Sequence, residues 1–151
     1  MGNIFYQDFR DFIFALNKCE VEYLLIGGYS VIFHGYARTT GDMDIWVKRS
    51  PENYKNLVRA FKQFKMPVFD MTEKNFLQHP QWDVFSFGVP PVCIDILVKV
   101  KGLDFEECFA KAMEFEDGDI KVKTIHINDL IRSKGVINRP KDIDDINNLT
   151  K

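Results

Sequence analysis

Two spacings of apolar residues alternate along this chain, one helical and one of period two. Over residues 3–19, Phe5, Phe9, Phe12, Ile13 and Leu16 recur on one helical face. Such a stripe reads as core packing, with a partner-docking surface as the rival. Tyr23–Ile26 is a short apolar strand. Gly27 and Gly28 follow as a turn, and residues 29–36 read as a short helix. The polar connection Arg38-Thr39-Thr40-Gly41 leads into a second strand carrying Asp42 and Asp44 on one face, with Met43 and Ile45 on the other. Ser50 and Pro51 mark a helix start, a capping serine before a first-turn proline. Residues 51–65 then place Tyr54, Leu57, Val58, Phe61 and Phe64 opposite Lys55, Arg59, Lys62 and Lys65.

The second half is read the same way. Residues 68–71 suggest a short strand, 76–82 a loop or helical turn, and 82–87 a strand closed by a turn at Gly88, Pro90 and Pro91. Residues 92–100 form the strongest strand pattern. Val92, Ile94, Ile96 and Val98 lie on one face, and Cys93, Asp95, Leu97 and Lys99 on the other. A helix is expected over 103–115, with Phe105, Cys108, Phe109 and Ala112 inward. A strand follows over 119–126, then a short helix over 129–134, capped by Asn128 and ending near Gly135. The last helix begins near Pro140. Its stripe is Ile143, Ile146 and Leu149, with Asp142, Asp144 and Asp145 around the polar side, where acids near a helix start need no function.

Composition narrows the picture. A chain of 151 residues suggests one domain, and 46% hydrophobic content with 14 Phe supplies a sizeable core. A net charge of -2 gives no global case for nucleic-acid binding. Locally, the span from Lys48 to Lys65 holds six basic residues against Glu52, either a solvated helix face or a patch for a polyanion such as RNA. Cys19, Cys93 and Cys108 are too scattered for a metal pattern and read as reduced thiols of a cytoplasmic protein, Cys93 in the core. The first residues lack the basic and apolar regions of a signal peptide, and Gln7 stands where a myristoylation signal wants Ser or Thr. No apolar run is long enough to span a membrane. The sequon at Asn148 is read as chance, and no repeat or linker stands out.

The candidate chemistry lies in the acids. Asp42 and Asp44 repel each other when ionised, and a divalent cation is the usual reason to keep two carboxylates so close. Oxygen ligands of this kind suit Mg²⁺ or Mn²⁺. Asp95, in the middle of an apolar run, calls for a partner, a salt bridge or a metal. The glycine pair lets backbone approach a ligand, and the helix after it offers N–H groups, with the Ser30 hydroxyl, to an anion such as phosphate.

Taken together, Ile26-Gly27-Gly28, then Asp42-Met43-Asp44-Ile45, then Ile94-Asp95-Ile96 resembles the nucleotidyltransferase superfamily, the fold of DNA polymerase β and the kanamycin nucleotidyltransferases. The stretch from Arg38 to Asp44 looks most like a small bacterial branch, the AbiEii-type toxins and the minimal nucleotidyltransferases paired with HEPN proteins. The run from Asp129 to Lys134 and that from Arg139 to Asp145 are similar to the last two AbiEii-like motifs. One departure is that Tyr29 follows Gly28, with Ser30 one step on.

The resemblance implies an α/β (α+β) fold, a mixed sheet of about 4–6 strands flanked by helices. It implies a transferase moving NMP from a nucleoside triphosphate to a hydroxyl. Asp42, Asp44 and Asp95 would hold two Mg²⁺ ions (Mn²⁺ possible), with Asp95 also the candidate base. Gly27, Gly28, Ser30, Arg38 and Lys134 would contact the nucleotide. For Arg38 an ion pair is the rival, for Lys134 an ordinary helix lysine, and for His34 a structural role. The acceptor is open among an RNA 3′ end, a protein side chain and a small antibiotic; the small chain suggests a protein partner, and the resemblance to the AbiEii-type branch implies a toxin-antitoxin setting. Two rival classes are a non-catalytic binding or antitoxin-like protein of the same fold and a metal-dependent nuclease using the same acids.

Overall fold

A computed structural model describes residues 6–36, 40–89, 92–137 and 139–150. Helix α1 (Gln7–Lys18) leads into β1 (Tyr23–Ile26), α2 (Gly27–Phe33) and β2 (Met43–Val47). Helices α3 (Pro51–Gln63) and α4 (Glu73–Gln78) precede the hairpin of β3 (Val84–Val89) and β4 (Val92–Leu97). Then come α5 (Phe105–Ala110), the hairpin of β5 (Met113–Asp117) and β6 (Ile120–Thr124), α6 (Ile127–Ile137) and α7 (Pro140–Leu149). The strands form one six-stranded sheet in the order β3-β4-β2-β1-β6-β5. Pairs β1·β6 and β2·β4 are parallel and the others antiparallel, so the sheet is mixed, as the resemblance implied.

Strands β1 and β2 divide their side chains between two cores. On one face Tyr23 and Leu25 of β1 and Met43, Ile45 and Val47 of β2 pack with Phe9, Phe12 and Leu16 of α1 and Leu57 and Phe61 of α3. The helical stripe of α1 is therefore core. On the other face Leu24, Ile26 and Trp46 pack with Cys108, Ile125 and Leu130, and Trp46 meets Phe105 edge-on. Asp44 lies between Met43 and Ile45 and so shares the face of Trp46. The Ser50 hydroxyl accepts the Asn53 N–H, closing the expected cap of α3. Arg10, buried on α1, holds Asp117 at 2.9 Å and pins that helix to the β5–β6 hairpin.

Several expected elements are redrawn. The glycine pair is not a separate turn; α2 starts at Gly27 itself and ends at Phe33. Residues 68–71 form a turn rather than a strand, closed by the Met71 N–H on the Val68 carbonyl at 2.9 Å with Phe69 at φ 48°. The helix expected over 103–115 stops at Ala110, and Met113 opens β5, turned back through Gly118 at φ 67°. Helix α6 runs through Gly135, with Asn128 inside its first turn and the His126 Nδ1 accepting the Asn128 N–H. Helix α7 is rotated relative to the expectation. Asp142 and Asp145 are buried, whereas Ile143 is 43% exposed. The cause is Lys134, buried on α6 and facing α7, which needs carboxylates beside it more than α7 needs a fully apolar stripe.

Candidate functional site

Sheet register builds the centre of the site. Strands β2 and β4 run parallel with Asp44 directly beside Asp95, both on the face opposite the α1–α3 core. Asp42 precedes β2 by one residue and is exposed. Asp44 is pushed up to about 7 by burial first, then by the charges of Asp95 and Asp42 and a hydrogen bond shared with Asp95. Lys134 pulls the other way. A carboxyl raised by burial and by neighbouring carboxylates is what is expected where a counter-cation belongs.

Gly27 stands over this pair. Ile26 pairs with Asp44 across the β1·β2 ladder, and the chain then turns through Gly27 at φ 71° into α2. A Cβ at position 27 would overlap the Asp44 carboxylate. Glycine is thus required twice, for the left-handed backbone and for the contact. The first N–H groups of α2, which have no partner within the helix, lie beside the carboxylates.

Strands and helices enclose a cavity of about 500 Å³ at this point. Gly27, Gly28, Asp42, Asp44 and Asp95 line its floor. Lys134, Arg139 and Lys141 line the side formed by α6 and α7. Lys134 is only 7% exposed, its Nζ 2.8 Å from Asp145 and 3.5 Å from Asp142. Arg139 clasps Asp142 through Nε at 2.7 Å and through its own backbone N–H at 3.1 Å. Burial would raise the Asp142 carboxyl, but these Arg139 bonds hold it below the usual carboxylate range. Lys141 is exposed at the rim and makes no ion pair among the described residues. A larger groove of about 700 Å³ lies among α1, α3 and the β3–β4 tip, but no cation lines it. Chemistry, not volume, selects the carboxylate cavity.

Six of the eight residues expected at the site meet here: Asp42, Asp44, Asp95, Gly27, Gly28 and Lys134. Ser30 does not. It is 0% exposed, its Oγ meets no partner among the described residues, and it lines no part of the cavity. A nucleotide contact from that hydroxyl therefore falls away. Arg38 lies outside the described residues. His34 is structural, its Nε2 2.7 Å from the Ile125 carbonyl and its ring against Phe115. Cys93, expected in the core, is half-buried on the carboxylate face. Burial first, then the charges of Asp42 and Asp95 and a hydrogen bond with Asp42, raise its thiol pKa. Arg139 and Lys141 were legible in the sequence only as part of a motif, and Asp142 and Asp145 otherwise only as polar-side acids of the last helix. Their one signal was the i, i+3 spacing of Asp142 and Asp145, which puts two acids on one helical face.

Among the described residues, no three His, Cys, Asp or Glu side chains are already gathered to hold a metal ion. The donors nevertheless suit a hard cation: all are carboxylate oxygens, and Asp44 bears the ionisation penalty that such a cation would remove. No described helix is long and apolar enough to cross a membrane. A search among curated proteins found no match. A family model described as "Nucleotidyltransferase of unknown function (DUF6036)" matches residues 13–150.

Proposed function

The chain belongs to this nucleotidyltransferase family, and from that premise we propose that it moves a nucleoside monophosphate from a nucleoside triphosphate to a hydroxyl acceptor in a reaction that depends on Mg²⁺. The observation that carries the reading is the in-register pair Asp44 and Asp95 beneath Gly27, facing a cavity walled by cations on one side. Asp42, Asp44 and Asp95 are the residues that would hold Mg²⁺, and Mn²⁺ would suit the same oxygens. Bound there, the ion supplies Lewis-acid chemistry, lowering the pKa of a hydroxyl and offsetting phosphate charge.

The rest falls to the protein's own groups. Gly27 and Gly28 let backbone approach the triphosphate closely, because no side chain intervenes. Lys141, at the rim, meets phosphate charge. Lys134 and Arg139 line the wall behind, held in place by their ion pairs with Asp142 and Asp145. Asp95 accepts the acceptor's proton as its oxygen bonds to the α-phosphorus. The bond from that phosphorus to the bridging oxygen breaks, and pyrophosphate leaves.

Calorimetry with ATP, GTP, CTP and UTP, with and without Mg²⁺, on wild type and Asp44→Asn, tests this. Mg²⁺-dependent binding by the wild type that the variant loses is expected, followed by pyrophosphate release once an acceptor is present. Binding without turnover to any acceptor would leave a nucleotide-binding protein of the same fold, and cleavage of RNA would make it a nuclease.

A further inference from the structure

We infer that the free edge of β3 pairs with the same edge of a second copy of this chain, joining two sheets into one across a two-fold axis. The pairing does not depend on the transferase reading.

The two edges of the sheet differ. Strand β5 carries Glu114, Glu116 and Asp117, the charged protection that natural edges use against pairing with other chains. Strand β3 is Val-Phe-Ser-Phe-Gly-Val, with no charge. Its backbone is also open. The Val98 N–H bonds to the Asp83 carbonyl at 2.9 Å, which fixes the alternation of the β3·β4 ladder. Phe85 and Phe87 then bond inward to β4, and the N–H and C=O groups of Val84 and Ser86 point to the free edge. Among the described residues these groups make no hydrogen bond outside the sheet. Gly88, at φ 85°, ends the regular stretch.

Apolar side chains crowd the same edge. Val84 is 40% exposed, and Phe69, 69% exposed, stacks on Phe87 at 6.5 Å. A hollow of about 80 Å³ between Phe69 and Trp82 is lined by Phe85 and Phe87 from one face of β3 and by Ser86 from the other, so it opens at the edge itself. Phe69 is held at φ 48°, a left-handed conformation that is costly for a bulky residue. An aromatic ring placed at that cost beside unpaired backbone suits a surface that assembly covers.

Symmetry selects the occupant. The regular stretch 83–87 is centred on Phe85. Antiparallel pairing about a two-fold axis there sets Val84 opposite the second copy's Ser86, and the reverse, and closes about four hydrogen bonds with every outward group used. The pairing is closed. It doubles the six-stranded sheet and leaves only the acidic β5 edges bare, so growth stops at two copies. Joining β3 to the β5 of the next copy would instead repeat without end, and would set the β5 acids against a strand that offers no counter-charge. An unrelated peptide would cover one bare edge, whereas a second copy covers two at once. A two-fold axis perpendicular to the sheet keeps both carboxylate faces on one side. Val84 lines the carboxylate cavity, so the two cavities open beside the seam.

A seam of about five residues from each copy falls below the roughly 1,200 Å² of a standard stable interface. The dimer is therefore weak, with a Kd on the order of 50 µM. Sedimentation equilibrium of the full chain from roughly 1 µM to roughly 500 µM, with amide exchange at both ends of that range, tests this. The expected result is a monomer–dimer equilibrium with no larger species. Exchange at Val84 and Ser86 should slow about fivefold at the higher concentration, the protection that such a Kd gives, while the β5 amides exchange alike at both. Ser86→Pro removes the outward N–H, a change tolerated on sheet edges. Phe69→Asn removes the ring at a left-handed position that asparagine accepts, so it folds even if Ser86→Pro does not. Each should weaken the dimer about tenfold, the loss of one to two edge contacts. A chain that stays monomeric at the highest concentration, a dimer whose Val84 and Ser86 amides exchange as in the monomer, assembly past two copies, or variants that pair as tightly as wild type would each overturn the inference.

Discussion

Asp44→Asn should stabilise the metal-free protein, and by an amount that depends on pH. The Asp44 carboxyl rises from its ordinary 3.8 to about 7 in the folded chain, chiefly through burial and secondly through Asp95. Between these values the folded state keeps a proton that the unfolded state has lost. Unfolding there releases a proton, so stability falls as pH rises through the window and stays low above it. The full separation corresponds to about 4 kcal/mol. Because Asp44 keeps some solvent contact, about 2–4 kcal/mol is the working range. Asparagine has the same shape, carries no charge and can donate to Asp95. Urea unfolding in chelator should place the variant about 2–4 kcal/mol above wild type near pH 8, with little difference near pH 4. Saturating Mg²⁺ should narrow or reverse the gap, since only the wild type offers the full carboxylate set. A variant no more stable than wild type near pH 8, or a gap unchanged near pH 4, would refute the reasoning.

Three further outcomes follow from contacts around the cavity. Gly27→Ala should destabilise by about 1–3 kcal/mol, since a Cβ meets the Asp44 carboxylate at a left-handed backbone position, and it should abolish Mg²⁺-dependent NTP binding; denaturant titration and calorimetry check the two parts. Lys134→Met leaves Asp145 and Asp142 buried without their shared ammonium and should cost about 3 kcal/mol, most of it regained in Lys134→Met/Asp145→Asn, measured by urea unfolding of both proteins. Lys141→Met should leave stability within about 0.5 kcal/mol of wild type. By calorimetry it should also weaken triphosphate binding more than monophosphate binding.

What could be read from the sequence divides along physical lines. The strands at 23–26, 43–47 and 92–97 were legible because each is a dense apolar run, and because period two puts Asp44 and Asp95 on the face opposite Met43 and Ile96. The start of α3 was legible because Ser50-Pro51 is a local signal. Strand β5 was not. Its residues Met113–Asp117 are mostly exposed and rich in acids, and only pairing with β6 makes them a strand. The orientation of α7 was hidden for a related reason. Asp142 and Asp145 look like ordinary surface acids of a helix start until Lys134 is seen facing them across the α6–α7 contact. Ser30 fails in the opposite sense. One residue beyond the glycine pair sounds close to a ligand, but a helix beginning at Gly27 turns position 30 inward.

The charges of the site have an internal logic. Three carboxylates face one cavity, and one of them is held near neutral pH. The basic groups closest to them are not free to neutralise them, because Lys134 is committed to Asp145 and Asp142, and Arg139 to Asp142. Had Asp142 and Asp145 been apolar, Lys134 would have been a bare buried ammonium near Asp44, and the cheapest arrangement would be a salt bridge between them. The two acids of α7 prevent that collapse. They hold the ammonium back and leave the Asp44–Asp95 pair underneutralised, the condition in which a divalent cation gains most by binding. The Lys134→Met/Asp145→Asn protein therefore tests more than stability. If the α7 acids keep lysine away from the sheet, removing that pair should leave Mg²⁺ affinity nearly intact, whereas Asp142→Asn/Asp145→Asn, which frees Lys134 to turn toward Asp44, should weaken Mg²⁺ binding and lower the Asp44 pKa.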